Sequence, residues 1–263
     1  MRYNYFFILF FLFSCKKNKV EYTGELIGHA ATGLKIQNQV YHDNSKEAVD
    51  FSLSMNGCNG VEIDIQMSSE GDLWLFHDTK LDVETDGNGC IFDLTNNELA
   101  QIKYKTSNKE HLVKLSDLDY AKFENKTLLL DIRHYTECQN KILDPILFIN
   151  ALDKIEGLKS GKINLFVLLS DAEWVDVFHV NGYRVLFSAN TYEEYVSVNT
   201  LISEGVIIKN KGISEDEVQA LHDLNKKVFI FDIRAPKETR LAMKKNPDAI
   251  VTDDLRTAII EKN

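Results

Sequence analysis

Three prolines and thirteen glycines in 263 residues leave little material for linkers, and no composition shift marks a second domain. A basic surplus is missing as well. With 30 Lys and Arg against 40 Asp and Glu the formal net charge is -10. No cluster of cations dominates, which argues against nucleic acid as a partner, since phosphate backbones are bound chiefly through grouped Lys and Arg. Any anionic ligand must then find a local positive centre. There is no internal repeat, no low-complexity tract and no GxGxxG loop after the first strand, and the last absence argues against a nucleotide-binding sheet. The four cysteines contain no CxxC pair, which argues against a zinc site built from closely spaced thiolates. Cys58, Cys90 and Cys138 leave room for one disulfide in an exported chain, and the spacing does not choose the pair.

No apolar run reaches the about 20 residues that a helix needs to cross a bilayer. The run inside Met1–Ser14 (MRYNYFFILFFLFS) follows a single Arg and has the character of a signal-peptide core. Leu12-Phe13-Ser14-Cys15 then resembles the bacterial lipobox. That resemblance implies a signal peptide over 1–14, a lipidated Cys15, a tether over 15–24 and a chain exported and held at the bacterial cell envelope. An uncleaved anchor or plain secretion is the alternative.

From Glu25 onward short β-rich runs alternate with longer amphipathic stretches. Strands are predicted at Leu26–His29, Val61–Gln66, Leu73–His77, Thr127–Arg133, Ile163–Leu169, Tyr183–Phe187, Val206–Lys209, Lys227–Ile233 and Ala249–Thr252. Helical patterns lie between most of them, at Ser45–Met55, Pro145–Ile155, Ala172–Phe178, Ser214–Asn225 and Lys237–Lys245. Ser214 followed by Glu217 has the form of a capping box. Continuous apolar strands separated by helices describe a parallel sheet covered on both faces, either a single α/β barrel over 25–263 or an open doubly wound sheet. The strand candidates exceed the eight places of a barrel by one. The surplus is expected at Leu73–His77 or at Ala249–Thr252.

Ionisable residues recur where these strands end. His29 closes the first, Glu62 and Asp64 lie two apart in the second, His77 and Asp78 close the third, and Asp131 and Arg133 lie two apart in the fourth. Alternation points each spaced pair to one face. Glu62, Asp64 and Asp131 together suit one hard divalent cation, Ca²⁺ or Mg²⁺, and the two histidines suit proton transfer near neutrality. Arg133 is a forked donor for a phosphate oxygen. Singly, each of these residues also fits a loop cap, an ion pair or an exposed side chain.

The same residues carry a family resemblance. Ile27-Gly28-His29, Gly60–Gln66, Glu70-Gly71-Asp72 with Phe76-His77-Asp78, Thr85–Gly89, Leu130–Arg133 and Pro247–Asp254 resemble the glycerophosphodiester phosphodiesterases. The resemblance implies a (β/α)8 TIM barrel of the PLC-like phosphodiesterase type. The implied activity splits a glycerophosphodiester into glycerol 3-phosphate and an alcohol. It further implies His29 and His77 as the catalytic pair and Glu62, Asp64 and Asp131 as ligands of one divalent cation.

Three departures mark a divergent member. Ala30-Ala31 stand where the family has Arg-Gly, Asp43-Asn44-Ser45-Lys46 where it has Pro-Glu-Asn-Thr, and Asp131-x-Arg133 where it has Glu-x-Lys. The lost Arg removes a charge-assisted phosphate contact worth about 1.5–3 kcal/mol, for which Arg133 or Lys209 is the expected substitute. Two other readings stay open: a phosphatidylinositol or phospholipid phosphodiesterase of the same superfamily, and a phosphodiester-binding lipoprotein without turnover.

Overall fold

The computed structural model describes residues 21–34, 36, 39–198 and 202–262. The signal segment and Cys15 lie outside the described residues. The strands are β1 (Glu25–Gly28), β2 (Gly60–Met67), β3 (Leu73–Leu75), β4 (Thr127–Ile132), β5 (Tyr135–Thr136), β6 (Lys141–Ile142), β7 (Asn164–Leu169), β8 (Val185–Ala189), β9 (Gly205–Lys209), β10 (Lys227–Phe231) and β11 (Ala249–Thr252). The helices are α1 (Lys46–Ser54), α2 (Asn96–Leu99), α3 (Pro145–Leu152), α4 (Ala172–Val180), α5 (Tyr192–Ser197), α6 (Glu215–Asp223), α7 (Pro236–Lys244) and α8 (Leu255–Lys262).

Strand order β1-β11-β10-β9-β8-β7-β4-β2, closed by a β1–β2 pairing, makes an eight-stranded parallel barrel. The ninth strand of that sheet, β3, is antiparallel and pairs with the far end of β2, through Ile65↔Leu75, Gln66↔Trp74 and Met67↔Leu73. The surplus run is therefore Leu73–His77, and Ala249–Thr252 is a barrel strand. The predicted run also ends early. His77 and Asp78 sit on the loop after β3, so three barrel strands and one hairpin carry the ionisable groups, in place of four successive barrel strands.

Local chemistry starts the helices. The Ser45 hydroxyl accepts from Ala48 N at 3.0 Å and caps α1, Asp171 caps α4, and Ser214 with Glu217 forms the expected capping box on α6. Such a cap is worth about 1 kcal/mol.

Alternation along the strands separates two cores. Ile27, Leu129, Phe166, Leu186, Ile207 and Phe229 fill the barrel interior. Val61, Ile63, Ile65, Leu128, Leu130 and Val167 face outward into the larger core shared with the helices. Each fully buried Leu, Ile or Phe contributes about 1.5–3 kcal/mol. A third cluster, with Trp74, Phe76, Leu81, Ile91 and Tyr104, holds together the long excursion between β3 and β4. A disulfide, Cys90–Cys138, staples that excursion to the β5–β6 hairpin, while Cys58 is a buried free thiol.

Candidate active site

Strand parity brings the acidic side chains together. On β4 the inward positions are Leu129 and then Asp131, and on β2 they are Glu62 and Asp64. The β2–β4 register sets Asp64 directly beside Asp131. One carboxylate oxygen from each of Glu62, Asp64 and Asp131 lies within 4.8 Å of the others. Glu62 and Asp64 are buried, at 2% and 1% exposure. Three such charges repel unless something neutralises them. Burial, and then the charge of Asp64, push the Glu62 carboxyl up from its ordinary pKa, with His29 opposing. Burial likewise raises Asp131 against the pull of Arg133. Asp64 is held low in spite of burial, first by Arg133 and then by His77.

Arg133 meets that charge from within the chain. Its Nε donates to Asp64 Oδ1 at 2.8 Å, and its Nη2 lies 2.7 Å from the same oxygen and 3.4 Å from Asp131 Oδ2. The guanidinium predicted to fork onto phosphate is turned instead toward two carboxylates. Asn44 takes the other Asp64 oxygen, donating Nδ2 to Oδ2 at 2.8 Å, and accepts from Asp64 N at 2.9 Å. The amide at the departing Asp43-Asn44-Ser45 motif thus braces a member of the acidic trio.

The turn after β1 is wound tightly over Glu62. Ala30 and Ala31 take left-handed conformations, with φ of 43° and 70°, which cost a non-glycine residue about 1–2 kcal/mol. Compactness compensates: a Cβ on Gly28 would lie 1.9 Å from the Ala31 carbonyl oxygen. The turn aims Ala30 N at Glu62 Oε2, 2.7 Å away, which fixes that carboxylate. His29 at its start has Nδ1 2.6 Å from Asp253 Oδ1 and Nε2 3.8 Å from Glu62 Oε2. A carboxylate only accepts, so Nδ1 carries the proton and Nε2 faces the trio. Burial alone would favour the neutral ring. The Asp253 hydrogen bond and the charges of Glu62, Asp253 and Asp64 outweigh it and lift the imidazole to about 9.

His77 is oriented the same way, with Nδ1 2.7 Å from Asp78 Oδ1. Its loop is tied to the barrel by Gln66 Nε2, which donates to the carbonyls of Phe76 at 3.0 Å and Asp78 at 2.7 Å. Both histidines line one cavity of about 360 Å³ with Glu62, Asp131, Arg133, Lys209 and Arg234.

All the predicted site residues except Cys15 therefore belong to this barrel end, Lys209 as a wall residue. Asp253 and Arg234 were not foreseen in any role. Arg234 Nε lies 3.1 Å from Asp253 Oδ2. The signal for Asp253 was parity: Ala249 and Val251 face inward, so the next inward position is 253. The all-oxygen trio has the donor chemistry of a Ca²⁺ or Mg²⁺ site, and its spread fits a divalent cation.

The glycerophosphoryl diester phosphodiesterase family model matches residues 38–137. The matched stretch holds Glu62, Asp64, His77, Asp131 and Arg133, and barrel closure brings His29 and Asp253 to them from outside it. A glycerophosphodiester phosphodiesterase of Bacillus altitudinis is 22% identical over 228 residues, covering 81% of this chain and 89% of the relative. Among solved structures, a glycerophosphodiester phosphodiesterase from Agrobacterium tumefaciens superposes with a TM-score of 0.71 at 13% identity, over 90% of this chain and 100% of its own. An Oleispira antarctica phosphodiesterase in complex with the product sn-glycerol-3-phosphate superposes with a TM-score of 0.71 at 19% identity, over 90% of this chain and 96% of its own. At such identities the structures establish the shared barrel.

Proposed function

We infer that this chain is a divergent member of the glycerophosphoryl diester phosphodiesterase family and that its barrel mouth hydrolyses glycerophosphodiesters to glycerol 3-phosphate and an alcohol. The observation that carries this is geometric: two imidazoles, each with Nδ1 held by a carboxylate, share a cavity with Glu62, Asp131 and a set of cations. A phosphodiester seated between the rings meets the needs of the reaction. One imidazole removes the proton from the attacking oxygen, and the other protonates the departing alkoxide. Lys209 and Arg234 supply the local positive charge that an anionic substrate requires in a chain of this net charge. Glu62, Asp64 and Asp131 would hold the divalent cation. When bound, it neutralises charge on the phosphoryl oxygens.

The test is hydrolysis of glycerophosphocholine and glycerophosphoethanolamine by the purified chain with Ca²⁺ or Mg²⁺. Release of glycerol 3-phosphate that disappears on chelation and in His77→Ala is expected. Turnover indifferent to both overturns the reading.

One observation favours a second reading. Arg133 already lies against Asp64 and Asp131, where it supplies positive charge from the chain itself, which suits a phospholipid or phosphatidylinositol phosphodiesterase chemistry that needs no metal. A cyclic phosphate product formed in the presence of chelator would establish that branch. The Cys90–Cys138 disulfide supports an exported chain, because such bonds persist in oxidising compartments.

A further inference from the structure

A second cavity opens beside the one that holds both imidazoles. Its volume is about 320 Å³, and it shares His77, Asp131, Arg133 and Ser188 with the first, while His29, Lys209 and Arg234 line the first and not the second. Strand parity supplies its polar side chains. Phe166 and Leu168 on β7 and Leu186 on β8 belong to the barrel interior, so Ser170 and Ser188 take the next inward positions, at the mouth. Gln66 follows Glu62 and Asp64 on the same face of β2.

We propose that this second cavity receives the alcohol arm of the phosphodiester and selects a polyhydroxylated alcohol, of which glycerol and inositol are simple cases. The proposal rests on the phosphodiesterase reading above and adds the leaving group to it. Since His77 and Asp131 line both cavities, the two meet at the reacting centre. A diester seated between the imidazoles therefore extends one ester arm into each.

The lining suits hydroxyl groups. The side chains of Ser170 and Ser188 have no hydrogen-bond partner among the described residues. Gln66 spends both amide hydrogens on the carbonyls of Phe76 and Asp78, which leaves its side-chain oxygen as an acceptor. Two hydroxyls that donate and accept, beside one amide acceptor, match a ligand whose own groups are hydroxyls. An ammonium or trimethylammonium group asks for a different wall, with a cage of aromatic rings or an unengaged carboxylate. Here Tyr135 is the one phenol ring among the described lining residues. The one lining carboxylate, Asp131, lies 3.4 Å from Arg133 Nη2.

The wall that carries Tyr135 is held in place. After β5, Glu137 accepts from the Thr79 hydroxyl and lies 2.6 Å from Lys80 Nζ, on the loop that follows His77. Cys138 then carries the disulfide to Cys90. With the wall fixed in advance, little ordering is left to offset a hydroxyl contact, so such a contact counts toward selectivity.

The experiment measures kcat/KM of the full chain, with Ca²⁺ or Mg²⁺, for glycerophosphoinositol, glycerophosphoglycerol and glycerophosphocholine. Both polyol diesters are expected to exceed the choline diester by about 10-fold or more. Ser170→Ala and Ser188→Ala should each shrink that ratio about 3-fold, as loss of one neutral hydrogen bond does, and the double variant should bring it near unity. Ser170 is exposed, so its variant decides if circular dichroism shows Ser188→Ala to be misfolded. Turnover with an equal or reversed preference, or a preference that survives Ser170→Ala intact, would overturn the alcohol-side assignment and leave the phosphodiesterase reading standing. Absence of turnover on all three diesters would remove that reading and this proposal together.

Discussion

His29 Nδ1 and Asp253 Oδ1 lie 2.6 Å apart, across the seam where β1 pairs with β11. Asp253 also accepts from Leu34 N at 2.9 Å, and its side chain has no solvent exposure. It has little freedom to turn away. Asp253→Asn is expected to lower kcat by about 10–100-fold with the fold intact, because an amide no longer fixes the Nδ1–H tautomer. Adding His29→Ala should then cost no more than His29→Ala alone. Steady-state kinetics of the three variants check this, and additive losses would remove Asp253 from the role.

Breaking the Asp64–Arg133 pair from one side leaves charge behind in a buried place. Asp64→Asn should destabilise the chain by about 1–3 kcal/mol, below the value for a fully buried pair because Arg133 reaches solvent. Replacing both partners, as Asp64→Asn with Arg133→Met, should cost less than the single change. Urea unfolding measures both; the opposite order would mean that the pair contributes net stability.

Titration calorimetry separates cation binding from turnover. Ca²⁺ or Mg²⁺ should give heat with the unmodified chain and none with Glu62→Gln or Asp131→Asn. Heat that survives both changes would place the ion elsewhere.

Lys209 lines the 360 Å³ cavity together with Arg133 and Arg234. Lys209→Ala should raise KM for a glycerophosphodiester about 10-fold or more, the equivalent of one charge-assisted contact, with kcat little changed. A fall in kcat at constant KM would show a contact made only in the transition state.

The Cys90–Cys138 bond spans 48 positions. Closing a loop of that length restricts the unfolded chain by about 4 kcal/mol on the chain-entropy account. Denaturant midpoints with and without reductant should differ accordingly. A double Ser variant should behave as the reduced chain does.

Legibility in the sequence followed locality. Glu62, Asp64 and Asp131 could be assigned to one end of the fold because a strand's parity is written in its own residues. The barrel followed from the same alternation. The direction of Leu73–Leu75 could not be read, since a three-residue apolar run looks alike in either orientation and only its register with Ile65 decides. Parity placed Asp253 inward, but its partner, 224 positions away, could not be read locally. Arg133 could be read two ways for a related reason: a fork suited to phosphate is equally suited to a carboxylate, and the register of β2 with β4 sets two of those against it. The cysteine pairing depends on how the long excursion packs, which no local pattern encodes.

The pairing of β1 with β11 has a kinetic consequence. An emerging chain offers β1 no partner on that flank until β11 has been made, so the ring shuts last and the most sequence-distant contacts gate its completion. A nascent chain halted before β11 would already contain both imidazoles and the whole acidic trio, yet it would leave the first histidine without its anchor. Competence for the chemistry thus arrives in a single late step of synthesis.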